Sequence, residues 1–331
     1  MSELHKFLFD GQPVRGMIVR LTDAWQEILS RRASNTETGP YATPVRELLG
    51  EMAAAGVLMQ SNIKFNGALV LQVMGDGPVK LAVADVNSDL TLRATASVQA
   101  AVADGDGLPE LVNLQGGGRC AITLDPKDRR PGQQPYQGVV PLQDADGKKF
   151  ARLQDALQFY MLQSEQLETT IVLAANDQVA AGLMIQRMPV KGEANLAGAT
   201  ESDAQGDDRN GFNEDYNRIA HLAASLTRDE LLSLDVETIL HRLFWEEKLL
   251  RFAPQQDEET GPRFACTCSR ERVQNMLRSL GQEEVDSIVA ERSHVEVGCD
   301  YCGQQYHFDA IDAARLFADA ATQPPASSVV Q

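Results

Sequence analysis

The sequence predicts an α+β protein: an N-terminal mixed α/β domain with a largely antiparallel sheet, a helical linker, and a small C-terminal domain organised by four cysteines. Three observations carry this expectation. Short β-rich runs bounded by Gly, Asp or Pro recur through residues 1–189, joined by turns too short for parallel crossovers. Between residues 190 and 260 the chain turns acidic and its apolar period becomes helical. Four of the five cysteines then fall within 37 residues, as Cys266-Thr-Cys268 and Cys299-Asp-Tyr-Cys302.

At 331 residues the chain exceeds what one core usually holds. The expected organisation is a core domain over 1–189, an acidic and helical linker over 190–260, a cysteine domain over 261–318 and a disordered tail over 319–331. In the core domain, strands are expected at Pro13–Leu21, Ala68–Met74, Val79–Val86, Leu90–Ala96, Arg119–Leu124 and Gln137–Leu142. Thr43-Pro44 predicts an N-cap with proline at the first helical position, followed by Leu48, Leu49, Met52, Ala53 and Val57 at helical spacing. A second helix is expected near Phe150–Gln163, where Leu153, Ala156, Leu157 and Tyr160 form an apolar stripe. Leu167–Ala175 and Gln178–Met188 read as a hairpin around Asn176-Asp177.

Residues 190–211 are small, polar and acidic, the composition of a flexible segment. Beyond them Ile219, Leu222, Ala223 and Leu226 share a helical face. Thr227 and Glu230 fit a capping box, and Asp235 caps a stretch carrying Val236, Ile239, Leu240, Leu243 and Phe244. These helices have apolar faces but too little mass for their own core, so they must lie on something else. In the cysteine domain Ser269 is placed to cap a helix ending near Gly281, and a second helix carries Val285, Ile288 and Val289. Val295–Gly298 and Gln304–Phe308 flank Cys299–Gly303 as a knuckle hairpin, and Asp309 precedes a last helix.

A net charge of −17 and a pI near 4.7 count against nucleic acid and anionic membrane surfaces, both of which require a basic face. The charge is concentrated: residues 190–260 hold 16 Asp and Glu against 7 Lys and Arg. No run of 18 apolar residues exists, and Asp10 interrupts the N-terminus where a signal peptide would remain apolar. The expected compartment is the cytoplasm, where thiols stay reduced and bind metal in preference to forming permanent disulfides.

Two close cysteine pairs separated by a 30-residue insert supply four thiolates to one tetrahedral Zn2+, with Cys266, Cys268, Cys299 and Cys302 as the ligands. The Cys-x-Cys pair is tighter than an ordinary zinc knuckle, and its sulfurs can also close on each other as a small disulfide. Such a site is either an inert clip or one that oxidation can empty. Arg263, Arg270 and Arg272 are candidates to offset the charge of the thiolates. His294 and His307 flank the second pair but are expected at the surface, since four cysteines already complete the site. Cys120 starts an apolar strand and is expected to be buried and inert.

Nothing in the chain points to catalysis. Gly116-Gly117-Gly118 lacks the Lys-Ser/Thr of a phosphate loop and reads as a turn. Cys299-Asp-Tyr-Cys302 alone suggests thiol–disulfide exchange, but it lies in a knuckle and not at a strand-to-helix turn.

The segment Phe264–Phe308, with Cys266-Thr-Cys268-Ser-Arg-Glu-Arg272, Glu284-Val-Asp-Ser-Ile288 and Cys299-Asp-Tyr-Cys-Gly303, closely resembles the redox-regulated 33 kDa chaperonin (heat-shock protein 33) family. Tyr136-Gln-Gly-Val-Val140, Ser164-Glu-Gln166 and Asp229-Glu-Leu-Leu232 extend the resemblance through nearly the whole chain. It implies an ATP-independent holdase of the bacterial cytoplasm, active in oxidative stress and inactive when reduced and zinc-bound. It further implies disulfides Cys266–Cys268 and Cys299–Cys302 on oxidation, zinc release, unfolding of the linker and capture of unfolding client proteins. The implied state is a monomer when reduced and a homodimer when oxidised. The long acidic stretch at 190–211 and an insert at Asp257–Pro262 depart from the family pattern. A zinc-stabilised adaptor and a thiol–disulfide oxidoreductase are the alternatives.

Overall fold

The computed structural model describes residues 1–35, 39–129, 132–189 and 208–321. Most of the acidic stretch expected to be flexible (190–207) and most of the expected disordered tail (322–331) lie outside the described residues.

Two antiparallel sheets enclose one helix. The first sheet is built from β1 (Glu3–Phe9), β2 (Val14–Leu21), β8 (Thr169–Ala175), β9 (Ala180–Arg187) and a late strand, β10 (Leu249–Arg251), in the order β10-β1-β2-β9-β8. The second holds β3 (Gly67–Met74), β4 (Val79–Asn87), β5 (Thr91–Val98), β6 (Arg119–Pro126), β7 (Tyr136–Pro141) and β11 (Arg263–Phe264), in the order β11-β5-β4-β3-β6-β7. Every pairing is antiparallel except that of β11 with β5. The hairpin expected around Asn176-Asp177 joins β8 to β9, with Ala175 opposite Ala180.

Helix α2 (Thr43–Asn62) lies between the sheets and is buried nearly all round. Small residues let it touch both. A Cβ on Gly50 would stand 2.4 Å from the Ala175 Cβ of the first sheet, and one on Gly56 would stand 2.8 Å from the Val86 Cγ2 of the second. The expected cap is displaced by one residue: Ala42 is the N-cap, and Thr43 and Pro44 lie in the first turn. Proline is tolerated there because first-turn N–H groups have no partner inside the helix.

Two longer elements pack on this core without having been expected. One is β1. The other is α1 (Asp23–Ala33), which buries Ala24, Trp25 and Ile28 and anchors Trp25 Nε1 on the Asn176 carbonyl at 2.7 Å. Short α3 (Leu108–Val112) and α4 (Leu153–Gln163) complete the core domain.

The outer face of the first sheet is covered by α5 (Asp208–Ala224), α6 (Arg228–Ser233) and α7 (Val236–Phe244). Both expected caps form. Thr227 and Glu230 exchange the two bonds of a capping box, and Asp235 Oδ1 accepts from Thr238 N at 2.9 Å. Among the described residues, nine buried residues from these helices, among them Ile219, Leu231, Ile239 and Phe244, together with Leu226 between α5 and α6, meet ten from β1, β2, β8, β9 and the turn beside them. Phe244 packs against Phe7 and Phe9 with ring centroids 6.1 and 5.1 Å away. Arg20 donates to the Leu231 and Leu232 carbonyls at 2.8 and 3.3 Å, which fixes the end of α6 on the sheet.

After β11 come α8 (Arg270–Leu280), α9 (Gln282–Arg292), the hairpin β12 (His294–Gly298) and β13 (Gln305–Asp309), and α10 (Ala310–Ala321). Ser269 caps α8 by accepting from Arg272 N, and Asp309 Oδ1 accepts from Ile311 N and Asp312 N at the start of α10. Among the described residues, the fully buried apolar core of this module is six: Leu277, Val285, Val295, Phe308, Ala313 and Leu316.

Candidate metal centre

Backbone geometry brings the two cysteine pairs together. Cys266 and Cys268 lie on the extended segment between β11 and the Ser269 cap. Cys299 and Cys302 form the turn of the β12–β13 hairpin, closed by Cys299 N to the Gln304 carbonyl at 3.0 Å and Gly303 N to the Cys299 carbonyl at 2.8 Å. Gly303 has φ +71°, a conformation that glycine adopts without a Cβ penalty.

All five cysteines are free, and the four sulfurs of the pairs lie within 4.8 Å of one another. Across the pairs, Cys266 Sγ stands 3.7 Å from Cys299 Sγ and Cys268 Sγ 3.3 Å from Cys302 Sγ. Four sulfurs at about 2.3 Å from a tetrahedral Zn2+ stand about 3.8 Å apart. The donor set therefore fits one metal ion. The thiols do not ionise alike. Burial opposes ionisation of Cys266, but the Cys268 backbone N–H and the neighbouring thiols outweigh it and bring the group down to about 7. Burial pushes Cys299 and Cys302 up. Tyr306 donates its hydroxyl to Cys268 Sγ at 3.1 Å.

One cation beside the sulfurs was not among those expected. Arg93, on β5, directs Nη1 at Cys266 Sγ (3.9 Å) and at Thr267 Oγ1 (3.2 Å). The rest of its guanidinium holds Asp85 Oδ2 at 2.7 and 2.9 Å and stacks over Tyr301 at 4.3 Å. Asp85 and Arg93 are register partners on β4 and β5, Asp85 flanked by Ala84 and Val86 and Arg93 by Leu92 and Ala94. That was the available signal. Of the three expected arginines, Arg263 pairs with Asp89 and Arg270 with Asp312 and the Phe308 ring, whereas Arg272 donates to Thr267 Oγ1, between the first two cysteines.

The module is seated on the β5 edge of the second sheet. Arg263 N and Ala265 N donate to the Leu90 and Leu92 carbonyls at 3.2 and 3.1 Å, and Thr95 Oγ1 donates to the Asp300 carbonyl at 3.0 Å. The Arg31 guanidinium lies over the Phe264 ring at 4.7 Å.

Other candidates separate from this centre. Cys120 is fully buried on β6 and its thiol is pushed up to about 12 by burial, as its strand position predicts. His294 and His307 are exposed on the hairpin. Gly116–Gly118 forms a bend held by Asp76, which accepts from Gly117 N at 2.7 Å.

Residues 2–309 match the model of the Hsp33 protein family. The 33 kDa chaperonin of Chromobacterium violaceum is 43% identical over 316 residues, covering 96% of this chain and 94% of that protein. The 33 kDa chaperonin of Methylobacillus flagellatus is 40% identical over 324 residues, with 98% and 97% covered. Among solved structures, the 33 kDa chaperonin (heat shock protein 33 homolog) of Thermotoga maritima superposes with a TM-score of 0.72, covering 97% of this chain and 99% of its own. At 19% identity that likeness concerns the fold.

Proposed function

The chain belongs to the Hsp33 protein family, and we propose that it is a redox-regulated, ATP-independent holdase of the bacterial cytoplasm. In the reduced state Cys266, Cys268, Cys299 and Cys302 hold one Zn2+, and the protein is an inactive monomer. Bound there, the ion supplies a four-way cross-link, which in small zinc modules contributes roughly 10–16 kcal/mol to folding. An oxidant such as peroxide pairs Cys266 with Cys268 and Cys299 with Cys302. Two peroxide molecules accept the four electrons lost by four thiolates, giving two disulfides and, with four protons, four waters. No thiolate then remains to retain the metal.

One observation carries this reading. The apolar face of the first sheet is covered by α5–α7, and the same chain runs on through β10 and β11 into the first cysteine pair two residues later. A six-residue core cannot stand in for the lost cross-link, so the module unfolds and the linker loses its C-terminal anchorage. The opened apolar surface, on the helices and on the sheet beneath them, binds unfolding clients, and the active form is a homodimer.

The test is zinc release and suppression of client aggregation on one sample, before and after oxidant with mild heat. The holdase reading expects release and suppression together. An inert zinc-stabilised adaptor loses partner binding on oxidation and gains nothing, and a thiol–disulfide oxidoreductase turns over disulfide substrates.

A further inference from the structure

The outer face of the β12–β13 hairpin carries a second group of metal-ligating side chains. Side chains alternate along each strand, so Val295 and Phe308 enter the module core while His294, Glu296 and His307 face outward. The register places Glu296 directly opposite His307, and His294 belongs to the next outward pair. Glu296 lies between the two imidazoles. His294 Nε2 is 3.8 Å from Oε2, His307 Nε2 is 3.6 Å from Oε1, and the ring centroids are 6.0 Å apart. One ligand atom from each residue lies within 4.8 Å of the others.

Both separations are too long for hydrogen bonds, so the three groups surround a space without closing on each other. Donors bound at about 2.0–2.2 Å from one ion stand roughly 3–3.5 Å apart. The three side chains are half-exposed and can close that difference by small rotations. Two imidazoles and a carboxylate suit zinc, nickel or copper, whereas magnesium and calcium take all-oxygen sets.

We propose that His294, Glu296 and His307 form a second divalent transition-metal site of the Zn2+ class, completed by water and independent of the four thiolates. Its ligands come from both strands, so the bound ion joins β12 to β13 across the hairpin whose turn carries Cys299 and Cys302.

Isothermal titration of the reduced, zinc-saturated full chain with further Zn2+ tests the site. One additional equivalent is expected. It weakens more than about tenfold in His294→Ala and in His307→Ala, since even residues that only orient ligands cost 10–100-fold when changed. Glu296→Gln, of the same shape, also weakens it, and His5→Ala leaves it unchanged. All variants keep the thiolate-bound equivalent, which shows that the module is folded. The proposal is overturned if the native chain takes up no further equivalent, or if that equivalent persists at native affinity in both histidine variants.

Discussion

Among the described residues, 46 buried apolar residues pack around α2 between two sheets, whereas six form the core of the module that follows β11. The first core has Trp25, Leu49, Met52 and Leu58 almost fully enclosed, and it holds together by packing alone. The second is smaller than self-sufficient domains require, and four sulfurs within bonding range of one ion occupy its edge. Between them lies the linker layer, half of whose apolar cluster belongs to the sheet and half to α5–α7. Under the proposed function, this contrast assigns chemical sensitivity to one region and permanence to the other, with the α5–α7 layer between them.

The strongest way to break this contrast is Cys299→Ser. Loss of one ligand should empty the site and unfold residues 264–317, whereas β3, β4 and β6 keep their hydrogen-exchange protection. Simultaneous loss of protection in both regions would show that the cores are not separable. Phe244→Ala comes next, at roughly 3–5 kcal/mol for a buried aromatic truncated to Ala. It should loosen α5–α7 with zinc still bound, seen as faster exchange over 214–244 and some aggregation suppression by reduced protein.

Arg93→Lys follows. It keeps the charge but loses the two-pronged grip on Asp85 and the stacking on Tyr301, a change of roughly 1.5–3 kcal/mol. Zinc content should hold at one while metal release under peroxide accelerates. Unchanged release kinetics would mean that seating on β5 does not govern the thiolates. Ser269→Ala removes a cap worth about 1 kcal/mol, and zinc-bound protein should tolerate it, with the cost visible as earlier unfolding under chelator.

The smallest effect is one of pH. The Thr238 backbone N–H holds the Asp235 carboxyl below its ordinary value of 3.8. A lowered folded-state value means the cap stabilises α7 above the ordinary carboxylate range and stops doing so as pH falls through the folded value. Undocking of α7 should therefore steepen only below about pH 4. Circular dichroism of the Asp235→Asn variant, if as acid-sensitive as the native chain, would remove Asp235 from the account.

Much of this was legible because the signals were local. The cysteine spacing, the capping box at Thr227, the caps Asp235 and Ser269, and the β8–β9 hairpin each depend on residues a few positions apart. Long-range elements were less accessible. Strands β10 and β11 have three and two residues, too few to show a period, yet they tie the linker and the cysteine module to opposite sheets. Helix α1 buries only Ala24, Trp25 and Ile28 among polar residues, so its stripe is thin. Strand β1 buries Phe7 and Phe9 on the face under α5–α7 and Leu4 on the opposite face, and the polar His5 and Lys6 between them obscure any alternation. Arg93 is remote by 173 residues from the sulfur it faces, and no spacing rule connects such a pair.

The most direct measurement is hydrogen exchange on the fully oxidised, zinc-free chain, with client light scattering recorded on the same preparation. The account predicts that protection falls over 214–251 and 264–317, persists in β3, β4 and β6, and that client aggregation is suppressed. Suppression with 214–251 still protected, or loss of protection there without suppression, would contradict it.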